Sequence, residues 1–298
     1  MKIHSINEKT SEIGKIALWG PVGSGKTWLI HAFSATLLKY SLHDPDFLYE
    51  LTDTDRHPLD FMIPRNIDPT SILEDTVLHF RRIGKKDTSA HRISSNEHKI
   101  SIIDNKGDAL STLDDIPTSE GIIDSPNIIL LLDVTQSLLH RNQSTILLDP
   151  KEYTGMVAKL LQLLAISSPE QRRIAVCLSK SDQLTVKGRE TISLIKMLFG
   201  SEMADLFLQF RTRPNLSFEF FTVSSVGLLP NKKPNYDIST GFLVDETMWN
   251  PYNVEFPFFW FFENIELSRI AKSGNNFLTR LLVNSRLKKY IPYHRPLK

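Results

Sequence analysis

Gly20-Pro-Val-Gly-Ser-Gly-Lys-Thr27 satisfies the pattern G-x-x-x-x-G-K-[ST] in full. It follows a short apolar run, Lys15–Trp19 (KIALW), and precedes Thr27–Lys39, where apolar residues recur at near-helical spacing. A strand, a glycine-rich turn and a helix, in that order, are the context the pattern requires. Glycines let the backbone curl so that the N–H groups of Gly23 to Lys26 face phosphate oxygens at a helix N-terminus. Lys26 is then placed to reach the β- and γ-phosphates of a nucleotide, and the Thr27 hydroxyl to ligate Mg2+. Gly20, Gly23, Ser24, Gly25, Lys26, Thr27 and Trp28 are the candidate phosphate-site residues, with packing as the plainer role of Trp28.

Outward from this loop, four further apolar runs follow: Lys99–Asp104 (KISIID), Asn127–Asp133 (NIILLLD), Arg173–Leu178 (RIAVCL) and Phe218–Ser224 (FEFFTVS). Lys151–Ile166 reads as a helix with Asp149 as its cap, Pro150 in its first position and Glu152 at a capping-box-like spacing. A second helical stretch, Arg189–Phe210, separates Leu178 from the Phe218 strand. Asp75–Arg82 and Lys99–Asp104, joined by the polar Lys85–Asn96, read as an antiparallel hairpin. Strands alternating with helices predict an α/β fold with a mostly parallel sheet and one antiparallel strand; with the Gly20–Thr27 loop after the first strand, the expectation is a three-layer P-loop NTPase arrangement. Residues 1–270 are expected to form one domain with insertions at Tyr40–Asp68 and Pro230–Pro251, and 271–298 a basic extension.

Composition sets the outer bounds. The chain has 298 residues, 35 Lys+Arg against 34 Asp+Glu, 41% hydrophobic residues and one cysteine. That excludes wholesale disorder, a disulfide framework and a Cys-based zinc site. The near-neutral balance argues against a global nucleic-acid surface while leaving room for a local basic patch. The N-terminus lacks an apolar signal region, and the longest apolar runs fall far short of a spanning helix. A soluble, cytoplasmic protein is expected, with peripheral membrane attachment as an option.

The motifs resemble, in kind and order, those of the P-loop GTPases, in the branch of Ras-like and translation-factor domains. After the strand ISII comes D-x-x-G at Asp104-Asn-Lys-Gly107. The resemblance implies that Asp104 holds Mg2+ through a water and that the Gly107 N–H senses the γ-phosphate. Ser179-Lys-Ser-Asp182 stands where the family has [NT]-K-x-D. There Asp182 would accept from guanine N1–H and the exocyclic amine, a pattern adenine cannot supply, and the Lys180 stem would lie along the base. Ser179 departs from the usual Asn, whose amide ties the base to neighbouring loops. Thr222-Val-Ser-Ser-Val226 resembles the family's S-A-K loop, with Ser224 in it and the Ser225 N–H aimed at guanine O6. Thr70 is the candidate switch threonine, with Thr76, Thr52 and Thr54 as alternatives.

The resemblance implies a GTP/GDP-binding molecular switch with Mg2+. Asp108 follows the D-x-x-G where the family often has Gln or His to orient water; a carboxylate there repels the γ-phosphate, so turnover is expected to be slow. Lys26, Thr70, Gly107 and Asp108 are the candidate catalytic residues, and Thr27 and Asp104 the metal ligands. No arginine finger is assignable among Arg65, Arg81 and Arg82. A nucleotide-stabilised interaction module without useful catalysis is the alternative. A third reading is an ATPase with Asp133 as the acid of a Walker B strand, although Val134 stands where a general base would follow.

The nine histidines are scattered without zinc spacing, and Cys177 reads as a core thiol. Phe256–Phe262 leads into a helical stretch, Glu263–Lys272. Beyond Glu266 the charges are all positive and interleave with Phe277, Leu278, Leu281, Leu282 and Val283. Such a tail suits a protein effector or regulator first, which the switch segments could also meet; an anionic membrane surface or nucleic acid is less favoured.

Overall fold

The computed structural model describes residues 11–43, 47–51, 74–83, 95–104, 120–137, 149–167, 171–184, 190–237, 240 and 242–261. The elements are β1 (Ser11–Trp19), α1 (Lys26–His43), β2 (Phe47–Leu51), β3 (Glu74–Ile83), β4 (Ser95–Asp104), α2 (Glu120–Ile123), β5 (Asn127–Asp133), α3 (Pro150–Ile166), β6 (Arg172–Ser179), α4 (Thr191–Phe199), α5 (Ser201–Arg211) and β7 (Leu216–Thr222). Residues 256–261 are also helical.

Seven strands form one sheet in the order β2-β3-β4-β1-β5-β6-β7. β1 pairs in parallel with β4 on one side and β5 on the other, and β5, β6 and β7 continue in parallel. β3 is antiparallel to both β2 and β4, so it alone runs against the rest. The expected hairpin is β3–β4, and β2 lies within the expected insertion at 40–68.

Each central strand is buried on both faces, which is why it reads as a continuous apolar run rather than an alternating one. Along β5 every residue is buried. Ala17, Trp19, Ile128, Leu130, Leu132, Ile174, Val176 and Leu178 face a core completed by α3, α4 and α5. Ile16, Leu18, Ile129, Leu131, Ala175 and Cys177 face the opposite core, completed by α1 and the 256–261 helix. Phe33 and Phe258 stack across that second core at 3.9 Å between ring centroids. Together these are the three layers of an α/β P-loop NTPase fold.

The capping chemistry of α3 is as expected: the Asp149 carboxylate accepts from Lys151 N at 2.8 Å, and proline occupies the first turn. One expectation is corrected. The helical stretch after β6 is two helices, because Gly200 adopts φ 98°, ψ 170° and turns the chain between α4 and α5. This left-handed-side conformation suits glycine and ends a helix. Among the described residues no helix is long and apolar enough to cross a membrane. The tail beyond residue 261 lies outside the described residues, as do Thr70, Gly107 and Asp108.

Candidate functional site

In a parallel sheet, the loops that follow the strands gather at one edge, and ligands are held there. Here that edge collects the turn after β1, the end of β4, and the loops after β5, β6 and β7.

β1 ends at Trp19, and the chain curls through Gly20–Gly25 into α1. Ser24 N donates to Pro21 O at 3.1 Å, and Leu29 N to Gly25 O at 2.9 Å begins the helical ladder. Gly23 (φ 74°) and Gly25 (φ 90°) are both left-handed, and a Cβ built on either meets nothing within 4 Å. The loop therefore frames open space at the N-terminus of an 18-residue helix. Lys26 arches back over it and donates from Nζ to Gly20 O at 2.7 Å and Pro21 O at 3.1 Å. The Ser24 Oγ is buried with no hydrogen-bond partner in the described structure. Left-handed glycines facing open space, a helix N-terminus and a lysine fixed beside them fit a phosphate group. Trp28 turns to the side, edge-on to Tyr236 at 6.5 Å between centroids.

Asp104 is the last residue of β4 and pairs with Leu18 of β1. It thus leaves the sheet beside the turn that leads into α1, on which Thr27 is the second residue. A hydroxyl and a carboxylate are hard oxygen donors of the kind Mg2+ combines with phosphate oxygens and waters. Among the described residues, no group of three His, Cys, Asp or Glu residues is assembled that could hold a metal by itself.

β6 ends at Ser179, whose Oγ donates to Leu132 O at 3.4 Å. Lys180 takes φ 55°, a left-handed conformation, and a single 3-10 turn spans Ser181–Gln183. Its Nζ donates to Asp133 Oδ2 at 2.8 Å. The other Asp133 oxygen, Oδ1, accepts from Thr135 N at 2.9 Å and Thr135 Oγ1 at 2.7 Å. Asp133, expected in one reading to hold a metal, thus ends β5 with its Oδ2 bonded to Lys180 and its Oδ1 to Thr135.

Asp182 is buried, at 6% exposure. Its Oδ1 accepts from Ser224 Oγ at 2.7 Å and its Oδ2 from Gln183 Nε2 at 3.0 Å. Burial pushes its carboxyl above the usual range, while the Ser224 hydroxyl, backbone and Gln183 donors and the Lys180 charge pull the other way. Each carboxylate oxygen keeps a second lone pair for a further donor. Ser181 N donates to Val223 O at 3.1 Å and Val223 N to Leu178 O at 2.9 Å, locking the loops after β6 and β7 together. The structure therefore brings Ser179, Lys180, Asp182, Ser224 and Ser225 to one corner of the edge.

Sequence reasoning passed over Trp249, Tyr252 and Asn235. Asn235 and Trp249 belong to the Pro- and Asn-rich loop treated as an insertion, Tyr252 follows directly after it, and all three contact or close over this corner. Four aromatics, Tyr236, Phe242, Trp249 and Tyr252, in and directly after that loop were the available signal.

No family model matches the chain, and no curated protein matches it in sequence. Among solved structures it is similar to the signal recognition particle receptor of Chaetomium thermophilum, in its SRb-GTP/SRX complex. That likeness has 16% identity over 73% of this chain and 93% of the other, with a TM-score of 0.41. It is also similar to the Saccharomyces cerevisiae Ski7 GTPase-like domain bound to GDP and inorganic phosphate, at 15% identity over 72% of this chain, with a TM-score of 0.34. A third is the cytosolic domain of the Thermotoga maritima FeoB iron transporter in its GMPPNP form, at 14% identity over 71% of this chain, with a TM-score of 0.30. The chain spans 43% of the Ski7 chain and 57% of the FeoB chain. At such identities and scores the likeness assigns no function.

Proposed function

We propose that the protein is a guanine-nucleotide switch: it binds GTP and GDP, hydrolyses GTP slowly with Mg2+, and regulates a protein partner. The observation that carries the reading is the 2.7 Å hydrogen bond from Ser224 to Asp182. It joins two motifs far apart in the chain, at the same sheet edge as the phosphate-fitting loop. A buried carboxylate costs free energy that its hydrogen bonds offset, and such groups gather at binding sites. This one can accept from two parallel N–H donors, and guanine presents them on N1 and its exocyclic amine. Adenine presents an unprotonated N1 there and would leave the carboxylate facing a lone pair.

The division of labour follows. N–H groups of Gly23 to Lys26 and the Lys26 amine bind the β- and γ-phosphates. Thr27 and Asp104 would hold Mg2+, which when bound neutralises phosphate charge. The Lys180 stem, tethered by Asp133, forms one wall of the base site. Thr70 and Gly107 would report the γ-phosphate to the switch segments, and Asp108 would slow hydrolysis through its charge. Regulation would pass through those segments or the basic tail.

A nucleotide-stabilised module without useful catalysis is the second reading. It is favoured by Ser179, whose hydroxyl bonds only to Leu132 O in the adjacent strand and supplies no amide to the base loops. Single-turnover hydrolysis with and without Mg2+ separates the two.

The test of nucleotide identity is competition between GTP and ATP on wild type and Asp182→Ala. Wild type should prefer GTP, and the variant should lose that preference while retaining affinity through the phosphates. An unchanged preference in Asp182→Ala would remove Asp182 from base recognition.

A further inference from the structure

The loop between β7 and the 256–261 helix folds back onto the base corner instead of projecting from the domain. Asn235 is fully buried and clasps Asp245 through two hydrogen bonds, Nδ2 to Asp245 O at 2.8 Å and Asp245 N to Oδ1 at 2.9 Å. That clasp closes the loop and directs its returning limb, Trp249 to Asn253, along the strand-end segment Thr222–Gly227. Asn253 Nδ2 donates to Thr222 O at 3.1 Å.

The returning limb fixes both peptide planes that flank Ser225. Ser224 N donates to Tyr252 O at 3.1 Å, and Tyr252 N donates to Ser224 O at 3.0 Å. The Ser224 carbonyl and the Ser225 N–H belong to one planar trans peptide, so holding the carbonyl toward Tyr252 aims the N–H the opposite way. On the next peptide, Trp249 Nε1 donates to Ser225 O at 2.8 Å. Gly227 then passes so close to Asn250 that an added Cβ would stand 2.0 Å from its carbonyl oxygen.

The same limb reaches the loop after β6. Ser181 Oγ donates to the Tyr252 hydroxyl at 3.0 Å, one residue from Asp182. Burial pushes that hydroxyl up to about 12, so it remains neutral beside Asp182. At the outer end of the loop, Tyr236 meets Trp28 in the first turns of α1.

We infer that residues 228–237 and 242–252 brace the base subsite, with Trp249 and Tyr252 acting as positioning residues that orient the Ser225 N–H and the Ser181–Asp182 turn toward a guanine edge. The brace supplies between loops the ties that the hydroxyl of Ser179 does not make. It rests on the guanine reading of Asp182.

The test uses the full chain carrying Trp249→Phe, which keeps a ring and removes the donor to Ser225, and Tyr252→Phe, which removes only the hydroxyl. Met248→Ala, on the exposed side of the same loop, is the control. Affinities for fluorescent mant-GDP and mant-ADP are measured for each, beside thermal unfolding. Each Phe variant should weaken GDP about three- to ten-fold, the worth of one hydrogen bond, with ADP affinity unchanged. Equal weakening of both nucleotides would show a merely structural role and overturn the inference, as would no change in either. If Trp249→Phe fails to fold, Tyr252→Phe gives the same reading alone. Wild-type protein that binds GDP and ADP alike overturns the guanine reading itself, and the brace with it.

Discussion

Lys180 and Asp133 form an ion pair, 2.8 Å from Nζ to Oδ2, across the ends of β5 and β6. The carboxylate is almost fully buried, and the lysine side chain is 31% exposed. Such a pair holds the lysine stem in one direction, where it would form a wall of the proposed base site. Asp133→Asn keeps an oxygen to cap Thr135 and loses the charge. The expected cost is about 1–2 kcal/mol of stability, between an exposed pair and a fully buried one, with faster release of GDP. Hydrolysis per bound nucleotide should persist. Abolished hydrolysis with normal binding would instead return Asp133 to the role of metal ligand.

Lys26 is the one side chain on which every nucleotide reading agrees. Lys26→Ala removes the cation at the phosphate cradle and should abolish tight binding of GTP and ATP together, measured by mant-nucleotide titration. In wild type, turnover of GTP should be slow and Mg2+-dependent. Unaided turnover of several per second would contradict the place given to Asp108.

The buried Asp182 carboxyl lies above its ordinary range, and the sign of its pH dependence differs for folding and for binding. The folded chain holds this proton more tightly than the unfolded chain. Its contribution to stability is therefore complete below the ordinary Asp range and lost as pH rises through the raised folded value. The proposed guanine binding would need the ionised form, so affinity should move the other way, falling as pH drops through that value. The GDP-to-ADP affinity ratio is the quantity to follow, since phosphate titration cancels in it. A ratio flat across the acid range would contradict the assignment.

Gly227 has φ 79° and lies against the Asn250 carbonyl. Gly227→Ala introduces both strain and a clash with backbone that cannot yield like a flexible side chain. The expected loss is about 2–4 kcal/mol, from combined backbone strain and overpacking. Urea unfolding checks it. Loss below about 0.5 kcal/mol would mean that the returning limb is free to move away.

Much of the fold was legible because its signals are local. The turn from Gly20 to Thr27 needs its own glycines and lysine, and β5 and β6 are apolar throughout because both their faces are covered. The cap at Asp149 and Pro150 was likewise written within one turn. Gly200 was passed over inside a helical pattern, since periodicity continues across it from α4 to α5 and only its backbone angle reveals the break. Asp182 and Ser224 could be placed on adjoining loops from motif order. Trp249 and Tyr252 could not, because their partners Ser225 and Ser181 lie 24 and 71 residues away. No period or turn signal encodes such contacts. Ser179 showed in sequence that an amide was missing, without showing what stands near it.

The central claim is that Asp182 reads the base by accepting two hydrogen bonds. Asp182→Asn changes one acceptor into a donor while keeping the shape. Xanthine differs from guanine by a carbonyl oxygen where guanine has its amine, so it complements the altered edge. The decisive measurement is competition of GDP and xanthosine diphosphate for binding to wild type and Asp182→Asn. Wild type should prefer GDP, and the variant should prefer the xanthine nucleotide. The same preference in both proteins would contradict the claim.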